Sequence, residues 1–326
     1  MMRKRKHSGG LFVLTILILV IVFIYSGLRI LESTVFYKTE QAPSSGSKTI
    51  VRGDQAYYPR QDIEVFLLMG IDQPGPARDS GYYNNDGAAD ALILLVFDQK
   101  HETIDVLAIN RDSMVEMPVL GVGGRQAGTH FGQIALSHTY GSGLEDSCEN
   151  TVQTVSDLLY GITVDHYISL HMDGIAHVND AVGGVTVTVT DDFSGIDDTL
   201  PMGEVTLRGD QATNFLRTRR GLGDQLNLSR MDRHEAYLTG FAEALQEKLE
   251  GSSQFSAELY ESAAEYLVTD CSATVLSSAI ERYSGYTLNR IAKLEGENRV
   301  GEKYMEYHLD EAALDALVLD WLYTEK

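Results

Sequence analysis

Residues 8–28 carry no formal charge and include the run LFVLTILILVIVFIYSG, with Arg3, Lys4, Arg5 and Lys6 just before it. A run of that length and apolarity is what a helix needs to span a bilayer, about 20 residues. The basic flank stays cytoplasmic by the positive-inside rule, so the chain after Arg29 is expected on the outer side. A secretory signal peptide shares the basic start and apolar core. No A-x-A-like cleavage site follows, however, and the run is long for such a core, so an uncleaved anchor is expected. No lipoprotein-type cysteine accompanies it.

The roughly 300 residues that follow are enough for one large domain or two small ones. Net charge is −21, and the four basic residues at positions 3–6 contribute +4, so the rest of the chain carries −25. That balance excludes a nucleic-acid binder, which needs a basic footprint. Against such an acidic background, any cluster of arginines stands out. The two cysteines, Cys148 and Cys271, are readable either as a disulfide, which the outer compartment permits, or as two free thiols. Neither has zinc-site spacing or a nucleophile motif.

The order of elements predicts a layered α/β domain. Residues 1–7 form a basic tail, 8–28 the anchor, and 29–61, polar and irregular around QAPSSGSKT, a linker. The domain is expected over 62–326, with its motifs in 62–245 and a helical part over 246–326. Apolar β-branched runs predict strands over 63–71, 91–97 and 103–109, the last two joined as a hairpin by DQKHE. Helices are expected over 150–159 and 173–182, and strands over 165–170 and 185–189. A long helix is expected to open at Ser229 with Asp232 in capping-box position and an apolar stripe of Leu238, Phe241, Leu245 and Leu249. Further helices follow over 256–267, 273–283 and 310–323.

Two constellations carry chemistry. Asp72 follows the first strand and Asp90 precedes the second. If these strands are antiparallel neighbours, both acids and the Arg111-Asp112 pair of INRDS meet at one sheet edge. Such a group is either a structural ion-pair network or a magnesium site whose arginine addresses phosphate oxygens. The intervening loop, QPGPARDSGYYNNDGAA, is long and polar in the manner of functional loops. The second constellation is FLRTRR. If extended, it points Arg217 and Arg219 to one face and Arg220 to the other. Arg230 and Arg233 then fall at a helix start, where the macrodipole disfavours cations by about 0.3–1 kcal/mol. Arginines placed there favour a bound phosphate or pyrophosphate over pairing with surface acids. His130, His138, His166, His171 and His177 show no metal-ligand period, and neither a G-x-S-x-G elbow nor a P-loop occurs.

The segments FLLMGID, ALILLVF preceded by Asp90, LAINRDS, QIALSHTYGSG, the stretch over 149–187, LRGDQATNFLRTRR and LSRMDRHEAYL occur in this order. In that order they resemble the LytR-CpsA-Psr family of bacterial cell-envelope proteins. The resemblance implies a central mixed sheet flanked by helices and an apolar core that holds a polyprenyl tail. It further implies a magnesium-dependent phosphotransferase that moves a glycopolymer from an undecaprenyl-pyrophosphate carrier onto peptidoglycan. Asp72 and Asp90 look like the magnesium-linked acids, and Arg111, Arg217, Arg219 and Arg230 like the pyrophosphate contacts. Arg233, Gln133 and His234 are further candidates for substrate binding, and Asp72, Asp90, Arg111 and Arg219 for catalysis. The chain departs from the family pattern at Ala88, Ala89 and Ala91, where the family commonly has arginine or hydroxyl residues. It departs also at Gln133, commonly lysine, and at His234, usually glutamine. A polyprenyl-phosphate sensor without turnover and a lipid pyrophosphatase are the competing functions.

Overall fold

The computed structural model describes residues 49–325, apart from 122, 219–221, 223–226, 253–254, 272–281 and 284–285. The expected anchor over 8–28 and most of the helix expected over 273–283 lie outside the described residues. Among the described residues no helix is long and apolar enough to cross a membrane.

Fifteen strands and six α-helices are described. The strands are β1 Ile50–Arg52, β2 Gln55–Pro59, β3 Ile63–Ile71, β4 Ala89–Asp98, β5 Thr103–Ile109, β6 Met114–Leu120, β7 Gln126–Gln133, β8 His166–His171, β9 Val185–Val189, β10 Gly203–Leu207, β11 Leu267–Thr269, β12 Thr287–Lys293, β13 Gly296–Val300, β14 Met305–Leu309 and β15 Tyr323–Glu325. The helices are α1 Glu145–Leu158, α2 Gly174–Ala181, α3 Asp210–Arg217, α4 Asn227–Gly251, α5 Phe255–Ala263 and α6 Glu311–Leu322.

Six strands form a central mixed sheet in the order β11-β8-β3-β4-β5-β12. β3, β4 and β5 run antiparallel to their neighbours in turn, β8 lies parallel to β3, and β12 parallel to β5. The expected mixed sheet and the β4–β5 hairpin are both present. β3 and β4 read as unbroken apolar runs because both of their faces are covered. On one face Phe66, Leu95, Phe97 and Ile168 pack with α2, α3, α4, α5 and β9 through Val178, Phe215, Phe241, Leu259 and Val187. On the other, Val65, Leu67, Leu94 and Leu107 pack with α1 and α6 through Val155, Val318 and Trp321.

Several expectations change. Ile50–Pro59, expected as linker, is part of a three-stranded sheet, because β15 pairs with β2 and closes the end of the chain onto it. The long helix begins at Asn227, not Ser229, so Ser229 and Asp232 lie inside it and do not cap it. Asp232 instead pairs with Lys293. The helix expected over 256–267 is shortened to α5, a 3-10 turn over Ala264–Tyr266 and strand β11. The last helix is as expected and is capped by Asp310, whose Oδ1 accepts from the Ala312 and Ala313 amides. The two cysteines are free, because Cys148 sits in the core on one side of the sheet and Cys271 packs against the core on the other.

Candidate functional site

A cavity of about 190 Å³ lies between the sheet and α2, α3 and α4. Its walls are mostly aliphatic, including Leu68, Ile93, Leu170, Ile175, Leu216 and Leu238, and its polar side chains include Asp72, Asp90, Arg217, Arg230 and His234. Its floor is kept open by two small residues. Gly70 faces Ala91, and a Cβ on the glycine would stand 3.1 Å from the alanine Cβ.

The acids reach this cavity by a strand irregularity. Gly70 pairs with Ala91, but Ile71 pairs with Ala89, so Asp90 is the additional residue of a β-bulge. A bulge reverses the facing of every residue beyond it. Ala89 accordingly packs into the core of the far face, while Asp90 and Ala91 both line the cavity. The amide of Asp72 donates to Ala88 O at 2.9 Å and continues the ladder past the bulge. The strand end and strand start expected at one sheet edge are both there, with Asp90 inside β4 and not ahead of it.

Arginines converge on these acids. Arg111, two residues beyond β5, donates from Nη1 to Asp90 Oδ1. Arg230, on the first turn of α4 and 2% exposed at its side chain, donates to Asp90 Oδ2 at 2.7 Å and to Asp90 O at 2.9 Å. Arg217 ends α3, so the extended conformation expected of FLRTRR does not hold there, and the helix delivers its Nη2 to 3.3 Å from Asp72 Oδ1. Arg219 and Arg220 lie outside the described residues. Three arginines meet two acids at this end of the cavity, in a domain that is elsewhere strongly acidic. An incoming phosphate therefore meets guanidinium forks in place of a repulsive field.

Other candidates sit differently. Arg233 turns away from the cavity, with Nε donating to Phe215 O at 2.8 Å, Nη2 to Thr218 O and Nη1 to Asp191. It holds the end of α3, a fold role in place of the expected phosphate contact, because its donors already point at protein acceptors. Gln133 is also off the cavity. Its Nε2 donates to Asp112 Oδ1 at 2.9 Å and Met305 O at 2.8 Å, and Asp112 lies 3.5 Å from Arg111 Nε, so Gln133 acts behind the arginine. His234 lines the cavity and is neutral. Burial, with Arg230 nearby, depresses its pKa to about 3, and its Nε2–H donates to Leu216 O at 3.1 Å. Asp112 is at the expected edge, beside Arg111, but sequence reasoning missed Asn85. Asn85 is buried in the loop before Asp90 and donates to His138 O and Gly141 O, both at 2.9 Å, while its Oδ1 accepts from Gly87 N. The only signal for it was the turn-prone N-N-D-G run.

Asp72 Oδ1 is buried and makes no hydrogen bond among the described residues, since Arg217 approaches it without alignment. A buried carboxylate oxygen with spare acceptor capacity, beside a second acid, fits a hard divalent cation.

The described fold is a mixed α/β sheet with an apolar cavity that ends in acids and arginines. Residues 31–319 match the LytR_cpsA_psr family, and the chain belongs to that family. It is 27% identical over 274 residues, covering 79% of this chain, to the polyisoprenyl-teichoic acid–peptidoglycan teichoic acid transferase TagV of Bacillus subtilis, and spans 64% of that protein's length. It is 30% identical over 246 residues to the TagU transferase of Oceanobacillus iheyensis, covering 74% of this chain and 68% of the relative. The fold matches the crystal structure of B. subtilis TagV with a TM-score of 0.59 at 24% identity, covering 80% of this chain and 96% of that one. It also matches TagT bound to LI-WTA with a TM-score of 0.59 at 21% identity, covering 80% and 90% of the two chains.

Proposed function

We propose that this protein is a phosphotransferase that moves a glycopolymer from an undecaprenyl-pyrophosphate carrier onto peptidoglycan. The observation that carries the reading is the aliphatic cavity whose charged side chains are Asp72, Asp90, Arg217 and Arg230. The names of the relatives, teichoic acid transferases that act on peptidoglycan, agree with it.

The polyprenyl tail fills the cavity and so sets the pyrophosphate at the ends of β3 and β4. Arg111, Arg217 and Arg230 bind its oxygens and stabilise charge on the transferring phosphoryl group, joined by Arg219. An acceptor sugar hydroxyl attacks the phosphorus next to the glycan, and the bond to the lipid phosphate breaks. The hydroxyl proton passes to Asp72, the acid with unused acceptor capacity, and lipid monophosphate leaves. Asp72 and Asp90 would hold magnesium, which supplies charge neutralisation when bound. The run over 8–28 anchors the protein with this domain on the outer side, where lipid-linked glycan and peptidoglycan meet.

The test is incubation of the purified protein with labelled lipid-linked glycan, magnesium and peptidoglycan oligomers. Covalent glycan–peptidoglycan product is expected. Release of free phosphorylated glycan would assign a pyrophosphatase instead, and binding without product a sensor.

A further inference from the structure

We propose that His166, Asp270 and Cys271 form a binding site for a divalent transition-metal ion of the zinc class, with Glu64 orienting the histidine. No ligand-type spacing in the sequence points to it, and the edge of the sheet creates it. β11 pairs antiparallel with β8 through Leu267↔Leu170, Val268↔Ser169 and Thr269↔Ile168. Two more residues in that register set Asp270 opposite Tyr167 and Cys271 opposite His166. The hydrogen bonds hold them there: Tyr167 N donates to Asp270 Oδ1 at 2.9 Å, and Thr269 Oγ1 donates to Tyr167 O at 2.6 Å while accepting from Cys271 N at 3.2 Å.

One ligand atom from each of the three residues lies within 4.8 Å of the other two. His166 Nδ1 is 3.4 Å from Asp270 Oδ2, and Cys271 Sγ is 3.6 Å from the other carboxylate oxygen, Oδ1, so an ion between them would be met by the carboxylate after a small turn or through both of its oxygens. Tetrahedral zinc with bonds of about 2.0 Å to nitrogen and oxygen and about 2.3 Å to sulfur separates its ligand atoms by roughly 3.3–3.6 Å. The other imidazole nitrogen, Nε2, lies 3.9 Å from Glu64 Oε1. Glu64 Oε2 is in turn held by Arg282 at 2.7 Å and by the Tyr283 hydroxyl. Glu64 thus stands on the side of the far nitrogen, from which a carboxylate can accept the ring N–H once a metal holds the other nitrogen.

Charge favours a cation as well. Asp270, Glu64 and Asp165 all place negative charge near His166. The three carboxylates outnumber the one guanidinium, Arg282, paired with Glu64. The group remains reachable from solvent, with Asp270 35% and His166 20% exposed at their side chains. A thiolate with an imidazole selects zinc over magnesium, so this site and the cavity acids would take different ions. Binding transfers the Cys271 thiol proton to solvent as the sulfur–metal bond forms. His166 and Glu64 sit at the opposite ends of β8 and β3 from the cavity, so the ion fastens edge strand β11 to the sheet without entering the transfer chemistry.

The test uses the full-length protein in detergent, with a non-thiol reductant and excess magnesium, titrated with zinc and separately with cobalt. Saturable zinc binding is expected, with a rise in thermal midpoint and a thiolate-to-cobalt charge-transfer band. Both are lost in Cys271→Ser and His166→Ala, and Glu64→Gln weakens zinc binding about 10- to 100-fold. Far-UV circular dichroism of each variant establishes that the fold is intact. Absence of saturable zinc binding overturns the proposal. So does binding that survives Cys271→Ser and disappears in Asp72→Asn, which places the ion at the cavity.

Discussion

Asp90 and Arg217 belong to one site but contribute differently to the fold, and substitution separates the two roles. Asp90 accepts from both Arg111 and the buried Arg230. Asp90→Asn removes the charge that both Arg111 and Arg230 donate to, a change that costs about 3–5 kcal/mol when a buried pair is broken. Urea denaturation should show that loss, and inorganic pyrophosphate, which addresses the same forks, should recover part of it. An unchanged midpoint would rule out the buried pairing. Arg217 is 59% exposed, and its pair with Asp72 is of the surface kind, worth about 0–1 kcal/mol. Arg217→Ala is therefore expected to leave the urea midpoint nearly unchanged and to reduce transfer strongly. Equal loss of stability and activity would return Arg217 to a structural role.

Among the elements, β4 and α4 decide the site. The bulge in β4 turns Asp90 onto the cavity face, and α4 carries Arg230, His234 and Leu238 along one side of the cavity. The approach of α4 to β9 depends on Gly240, where a Cβ would collide with Thr186 O. Gly240→Ala has to push the helix off β9, because a backbone oxygen cannot rotate away. Overpacking of this kind costs about 1–3 kcal/mol. Thermal denaturation should show a lower midpoint, and a shifted Arg230 should weaken pyrophosphate binding alongside it. An unchanged midpoint would mean that α4 and β9 are not in fixed contact.

Across the whole molecule, buried histidines set how stability depends on pH. Burial lowers the pKa of His138 to about 4 and of His234 to about 3, and lowers that of His171 as well. Unfolded, each takes a proton near pH 6.5, so their contribution is complete above that value and is lost as pH falls toward the folded values. Each adds up to about 1.4 kcal/mol of lost stability per pH unit. His166, with its raised pKa, acts in the opposite sense but alone. The urea midpoint should therefore fall between about pH 7 and pH 5 with the slope of the transition unchanged. A midpoint equal at both values would require these histidines to be protonated in the fold.

Local pattern was enough for the sheet strands, the β4–β5 hairpin and the long apolar-striped helix, because hydrophobic periodicity and turn residues act over a few positions. It was enough as well to pick out Asp72, Asp90, Arg111, Arg217 and Arg230 as residues of one neighbourhood, since they occur in short segments at strand and helix ends. The same locality misplaced Arg233 and Gln133, whose partners Asp191 and Met305 lie 42 and 172 residues away. It also put Ile50–Pro59 in a linker, because the strand that completes that sheet comes at the far end of the chain. Asp90 faces the cavity only because of a one-residue slip in strand pairing, and Cys271 meets His166 only through the register of an edge strand. Both are settled by which strands lie side by side, and so by packing between residues that the order of the chain keeps apart.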